Sequence, residues 1–220
     1  MAPLALANPL AGTDHEVATW FHERLTPALA SVLHAFTNFG SGEWIGLIVF
    51  ALVLFFAWKR RWPSLVMLIV AVPGGMLLNE WVKVLVQRQR PFLDGPFVDW
   101  SGYSFASGHT VGATLLYGQL LLFVLPALKE RHWRLLSIFS AISLVALVGF
   151  SRIALGAHFL TDVLAAILFG IIWLAFCVIL RKPIQRPSSF AAVALPVDTE
   201  LSVAPVSKPE PAPAVAISQQ

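Results

Sequence analysis

Charge and cysteine are both scarce in this chain of 220 residues. Only 12% of its residues are charged against 57% apolar, which excludes an ordinary soluble domain. Cys177 is the single cysteine and lies inside an apolar run, so no intrachain disulfide is possible; it reads as a small buried hydrophobe. The first twelve residues lack a basic segment, and Pro3, Asn8 and Pro9 interrupt their apolar character, so they do not read as a signal peptide. The net charge is only +3, and the basic residues flank hydrophobic stretches without forming one solvated face, which excludes nucleic acid as a partner. No cluster of Asp, Glu and His has metal-ligand spacing, so no metal and no cofactor is expected. No obligate protein partner is evident.

What the chain has is long apolar runs. Five could cross a bilayer, which takes about 17–25 apolar residues each: approximately 42–58, 62–82, 110–128, 133–150 and 163–180. Pro73-Gly74-Gly75 falls in the middle of the second and predicts a kink or a close packing point. Trp44, Trp58, Trp62, Trp81 and Trp133 sit near run ends, where an aromatic belt would place them. Ahead of the runs, Thr13 with Glu16 predicts a capping box that opens a short helix presenting Val17, Trp20, Phe21 and Leu25. Thr26-Pro27 predicts a second N-terminus, with Leu29, Leu33 and Phe36 on its apolar stripe and Asn38-Phe39-Gly40 ending it. The expected fold is therefore all-α: an integral membrane helical bundle of about five transmembrane helices plus N-terminal amphipathic helices. Its parts are interfacial helices over 1–40, a membrane domain over 41–182 and a disordered tail over 183–220.

The basic residues orient this bundle. Lys59-Arg60-Arg61, Lys129/Arg131/Arg134 and Arg181/Lys182/Arg186 fall on one side if every run crosses, and the positive-inside rule makes that side cytoplasmic. The stretches 83–109 and 151–162 then share the outer side, and they carry nearly all the polar residues worth a chemical reading.

Lys83, Gln87 and Arg90 would share one face of a helix ended by Pro91, giving two cations to clamp an oxyanion or simply two snorkelling side chains. Arg88, off that face, reads as an interfacial cation, and Asp94 and Asp99 as turn residues in a loop over 91–105 that is a lid or a connector. Ser107-Gly108-His109 feeds a helix N-terminus whose free N–H groups suit phosphate; the same triplet also suits a plain N-cap followed by an interfacial histidine. His158 and Asp162 are four apart, one turn on a helical face, so the carboxylate can hold one ring nitrogen and leave the other bare; Arg152 offers a fork for phosphate. Together the three segments supply charge stabilisation, a nucleophile and a leaving-group acid for phosphoryl transfer.

Lys83-x6-Arg90-Pro91, Ser107-Gly108-His109 and Ser151-Arg152-x5-His158-x3-Asp162 resemble the three signatures of the type 2 phosphatidic acid phosphatase and vanadium haloperoxidase superfamily, over about residues 40–180. The resemblance implies metal-independent hydrolysis of a phosphate ester or diphosphate. Within it, His158 is the nucleophile, Asp162 its orienting carboxylate and His109 the leaving-group acid. Lys83, Arg90, Ser107, Gly108 and Arg152 then bind the phosphoryl oxygens. Ala106 departs from the family's usual proline, and five spans stand where six are usual. The expected substrate is a lipid phosphate such as phosphatidic acid, phosphatidylglycerol phosphate or undecaprenyl diphosphate, held by the bilayer. The expected place is the bacterial inner membrane, with the site extracytoplasmic and the tail cytoplasmic. A lipid phosphotransferase with the same intermediate, or a lipid transporter or scaffold, are the other readings; no internal repeat supports a transporter.

Overall fold

The computed structural model describes residues 9–92 and 102–181. The tail over 183–220, Asp94 and Asp99, and the first eight residues lie outside that set. Every regular element among the described residues is a helix.

The N-terminal pair comes first. α1 spans Ala11–His22 and starts two residues ahead of Thr13, with no side-chain cap at Leu10. The expected Thr13/Glu16 box is therefore not its start. Asp14 is drawn inward to bond partners on other elements, and that sets which face points in: Asp14 and Ala18 are buried, while Trp20 stays half exposed. α2 spans Pro27–Thr37 as expected, with the Thr26 hydroxyl accepting the Leu29 N–H at 3.3 Å and proline at the first position. Ala30 and Leu33 pack on Ala154 and Leu155, so this pair is fastened to the bundle.

Five apolar segments follow. α3, Gly42–Trp58, is opened by Ser41 accepting from Trp44 N–H at 3.2 Å. Next come α4, Trp62–Ile69, and α5, Gly75–Val86, joined through one wide π turn over Val70–Gly74. Pro73 lacks the N–H a regular turn needs, so the helix widens there. The Trp173 Nε1–H lies 3.2 Å from the Val70 carbonyl and 3.1 Å from that of Ala71, and donates to both. Gly75 meets Leu115 and Trp173 so closely that a Cβ would stand 2.7 Å from each. The sequence predicts a kink or a close packing point at 73–75, and the close packing point is there, next to a π turn.

α6, Gly108–Val124, is the central helix, touched by α3, α5, and by α7 (Arg131–Ala154) and α8 (Leu160–Arg181). It is buried without a break from Thr110 to Tyr117. At 17 residues it is about 26 Å long, short of the roughly 30 Å hydrocarbon core. It stops ahead of Pro126, not at 128 as expected. Four further segments are long and apolar enough to cross: Pro27–Trp58, Trp62–Val86, Arg131–Ala154 and Leu160–Arg181. Leu47, Phe50, Phe139, Ile172 and Ile179 point outward and stay exposed, as an integral membrane protein requires of its lipid-facing surface.

Candidate active site

The site is built where α5 and α7 end and α6 and α8 begin. α7 runs past the expected end at 150, so Ser151 and Arg152 occupy its last buried turn. The Arg152 carbonyl then accepts the N–H groups of Ala157 (3.0 Å) and His158 (3.2 Å), folding the linker back on the helix end. That fold needs Gly156, which has φ +73° and faces Phe92 so closely that a Cβ would stand 2.8 Å from the ring. The Arg152 guanidinium, itself buried, donates to Thr37 Oγ1 at 3.2 Å.

His158 is thus in the linker, and α8 starts only at Leu160. The expected pairing on one helical face with Asp162 does not occur. His158 Nδ1 lies 3.8 Å from Asp162 Oδ2, too far for a direct hydrogen bond. Ser104 stands between them: its hydroxyl donates to Asp162 Oδ2, and its Oγ is 3.4 Å from His158 Nδ1. Asp162 sits in the first turn of α8, fully buried, and its Oδ2 also accepts the Phe159 N–H at 3.0 Å.

Its other oxygen is held by an unexpected partner. Arg88 donates from Nη1 to Asp162 Oδ1 at 2.6 Å and from Nη2 to Asp14 Oδ2 at 2.7 Å. Asp14, on α1, closes the network by accepting from the Thr161 N–H at 3.0 Å and from the Thr161 hydroxyl. Arg88 is therefore a buried-network cation and not an interfacial one. The cause is the backbone: α5 ends at Val86, Gln87 has φ +51°, and residues 88–90 run on without helix. The expected Lys83–Gln87–Arg90 helical face is broken at that point.

Arg90 still reaches the site by this other route. Its Nε donates to the Gly102 carbonyl (3.0 Å), its Nη1 to the Ala157 carbonyl (3.0 Å), and Nη1 lies 3.4 Å from His158 Nε2. Lys83 pairs with Glu80 at 2.7 Å and faces the start of α6, its Nζ 3.1 Å from where a Cβ on Gly108 would be. Ser107 is fully buried; its N–H donates to the Asp162 carbonyl at 3.3 Å, and its Oγ accepts from Thr110 at 3.0 Å, which leaves its own O–H as a donor. His109, in the first turn of α6, is within electrostatic reach of Arg152, His158, Lys83 and Arg90. A cavity of about 190 Å³ opens beside it, lined by Lys83, Glu80, Asn79, Gly108 and the start of α3. The turn carrying Ala106 is tied down by Asn79, whose amide donates to the Ala106 carbonyl at 3.4 Å.

All three expected motifs thus meet at one end of the bundle. Burial, helped by the Arg152 and Arg90 charges and opposed by Asp162, pushes the His158 imidazole down to about 4. The ring is neutral at ordinary pH, with Nδ1 toward Ser104 and Nε2 toward the cations. Three partners in this network, Ser104, Arg88 and Asp14, carried no individual signal in the sequence. The one available hint was Pro91: extended backbone ahead of a proline puts residues two apart, Arg88 and Arg90, on one side.

Comparison with known proteins shows the family. The chain is 33% identical to phosphatidylglycerophosphatase B of Bacillus subtilis over 149 residues, covering 66% of this chain and 72% of that protein. It is 28% identical to lipid A 4'-phosphatase of Porphyromonas gingivalis over 159 residues, 64% of this chain and 63% of that one. The crystal structure of a transmembrane PAP2 type phosphatidylglycerolphosphate phosphatase from Bacillus subtilis superposes with a TM-score of 0.72 at 27% identity, covering 82% of this chain and 90% of that one. The family profile matches residues 64–186, more than half the chain and all three motifs, so this protein belongs to the PAP2 superfamily, as a hydrolase of its membrane lipid-phosphatase branch.

Proposed function

We propose that this protein hydrolyses a lipid phosphate or diphosphate without a metal, through a phosphohistidine at His158. The observation that carries this reading is the placement of a buried imidazole with its Nε2 facing Arg90, beside Arg152 and the start of α6. A phosphoryl group there would be bound by Lys83, Arg90, Arg152, the Ser107 hydroxyl and the N–H groups at Gly108. The His158 Nε2 lone pair attacks phosphorus. The bond to the leaving oxygen breaks, and that oxygen takes the proton from His109, leaving a phosphoramidate and a free alcohol or phosphate. Water then attacks phosphorus and gives a proton to His109; the P–N bond breaks, its electron pair returns to Nε2, and inorganic phosphate leaves. The arriving phosphate is the negative charge with which a protonated His109 pairs. The B. subtilis relative named phosphatidylglycerophosphatase supports phosphatidylglycerol phosphate as a substrate, with phosphatidic acid and undecaprenyl diphosphate offering the same group on a membrane anchor. The three basic clusters support a cytoplasmic tail and a site on the extracytoplasmic face of a bacterial inner membrane.

The test is phosphate release by the purified protein in EDTA against a panel of these lipids, with His158→Ala alongside. Release by the native protein and none by His158→Ala is expected, together with inhibition by vanadate, whose trigonal-bipyramidal form imitates the transition state. Turnover in His158→Ala would overturn the mechanism, and loss of native turnover in EDTA would overturn metal independence. Phosphate appearing on an added alcohol in place of water would make the protein a transferase.

A further inference from the structure

The hydroxyl that separates His158 from Asp162 belongs to a residue outside the three motifs. Ser104 is fully buried in the turn leading to α6, anchored by its own N–H donating to the Arg88 carbonyl at 2.8 Å. Arg88 in turn holds the far oxygen of Asp162. Backbone and side chain of this serine are therefore tied to the same carboxylate from two directions. A serine hydroxyl has one proton to give, and a carboxylate can only accept. With that proton spent on Asp162 Oδ2, what Ser104 turns to the imidazole is a lone pair. The nitrogen facing a lone pair has to be the one bearing hydrogen, so Nδ1 is the protonated nitrogen and Nε2 the bare one. Arg90 agrees from the other side, since a guanidinium has only donors and stands next to Nε2.

We propose that Ser104 is a positioning residue for the reaction: it carries the orienting effect of Asp162 to His158 by accepting from Nδ1–H while donating to the carboxylate. The proposal rests on the phosphohistidine reading, because it assigns which nitrogen attacks. Catalytic hydrogen bonds commonly tighten when substrate binds, and the 3.4 Å between Ser104 Oγ and Nδ1 leaves room for that. Losing the hydroxyl lets the ring take the other tautomer, with hydrogen on the nitrogen that must attack.

The experiment measures phosphate release from phosphatidylglycerol phosphate by Ser104→Ala, Ser104→Cys, Asp162→Asn and Ser104→Ala/Asp162→Asn, with His158→Ala as control. Ser104→Ala is expected to lower kcat roughly tenfold or more with KM within about twofold, the usual signature of a lost orienting partner. Ser104→Cys keeps the volume but donates weakly, so it should fold and fall between the two. In the Asp162→Asn background, removing the hydroxyl should cost little further, since both act along one path. Native kcat in Ser104→Ala or Ser104→Cys, or losses that multiply in the double variant, would overturn the proposal. If His158→Ala itself turns over, the nucleophile reading fails instead, and the two failures are told apart.

Discussion

Arg88 Nη1 lies 2.6 Å from Asp162 Oδ1, joining the segment that follows α5 to the first turn of α8. The same guanidinium reaches Asp14 on α1 and lies 4.2 Å over the Phe159 ring, so one side chain ties three segments together. Asp162 and Asp14 are both almost wholly buried, and burying two carboxylates is tolerable only while their partner is present.

Removing that partner should therefore destabilise the whole site end. Arg88→Met is expected to cost about 3–5 kcal/mol, as for other broken buried pairs. Its melting midpoint in detergent should fall by roughly 10 °C. Asp14→Asn added to Arg88→Met should restore part of the loss, because one of the two buried carboxylates that faced the guanidinium is then neutral. An unchanged midpoint in Arg88→Met would show that the guanidinium does not carry this load.

The buried histidine predicts an unusual pH limb. On the proposed mechanism His158 has to be neutral to attack, and burial holds its imidazole down to about 4 in the folded protein. The acid limb of kcat/KM, corrected for the titration of the substrate phosphate, should fall near pH 4 and not near the ordinary histidine value of about 6.5. Stability follows the same shift. Between about pH 6.5 and 4 the unfolded chain takes up a proton at this position that the folded one does not, so stability declines as pH falls through that window. His158→Asn should flatten that part of the melting profile. A limb centred near 6.5 would mean that the ring is solvated.

How far the sequence could be read is clear from where its boundaries went astray. The apolar runs placed the bundle, and three polar motifs at alternate ends of those runs had to converge once the runs crossed. Apart from the start of α1 and the far end of α6, the errors lie at the site. A hydropathy window closes at Ser151 or opens only at Val163, but backbone hydrogen bonding does not stop for a polar side chain whose partners are at hand. α7 thus continues through Arg152 and α8 begins at Leu160. Arg88 was put on the wrong face because the helix was carried on to Pro91, when one left-handed residue at Gln87 turns the chain four residues sooner. Ser104 has no pattern around it; its role exists only through residues more than fifty positions away.

The π turn gives a prediction independent of catalysis. Trp173 Nε1–H donates to the Val70 and Ala71 carbonyls within the segment that Pro73 widens. Trp173→Phe keeps a ring but removes the donor, and should cost about 1–3 kcal/mol for the two hydrogen bonds lost in an apolar setting. Pro73→Ala lets a regular turn form and re-engage those carbonyls, so the tryptophan should matter less in that background. Equal losses from Trp173→Phe with and without Pro73 would show that the ring's packing, and not its N–H, is what counts.

Gln119 makes the opposite case, of a polar group that works against the fold. It sits on the central helix with no exposed surface, and neither its amide nitrogen nor its amide oxygen has a hydrogen-bonding partner among the described residues. An amide buried unmet costs about 1–3 kcal/mol, whereas an apolar side chain of similar volume carries no such penalty. Gln119→Leu or Gln119→Met should accordingly raise the melting midpoint in detergent by several degrees. Eleven residues separate it from Gly108, about 16 Å along the helix. Phosphate release should therefore remain at the native rate. A lowered midpoint would mean that the amide holds a buried water or lipid group essential to the bundle, and a lowered rate with unchanged stability would tie this mid-membrane position to the chemistry at the helix start.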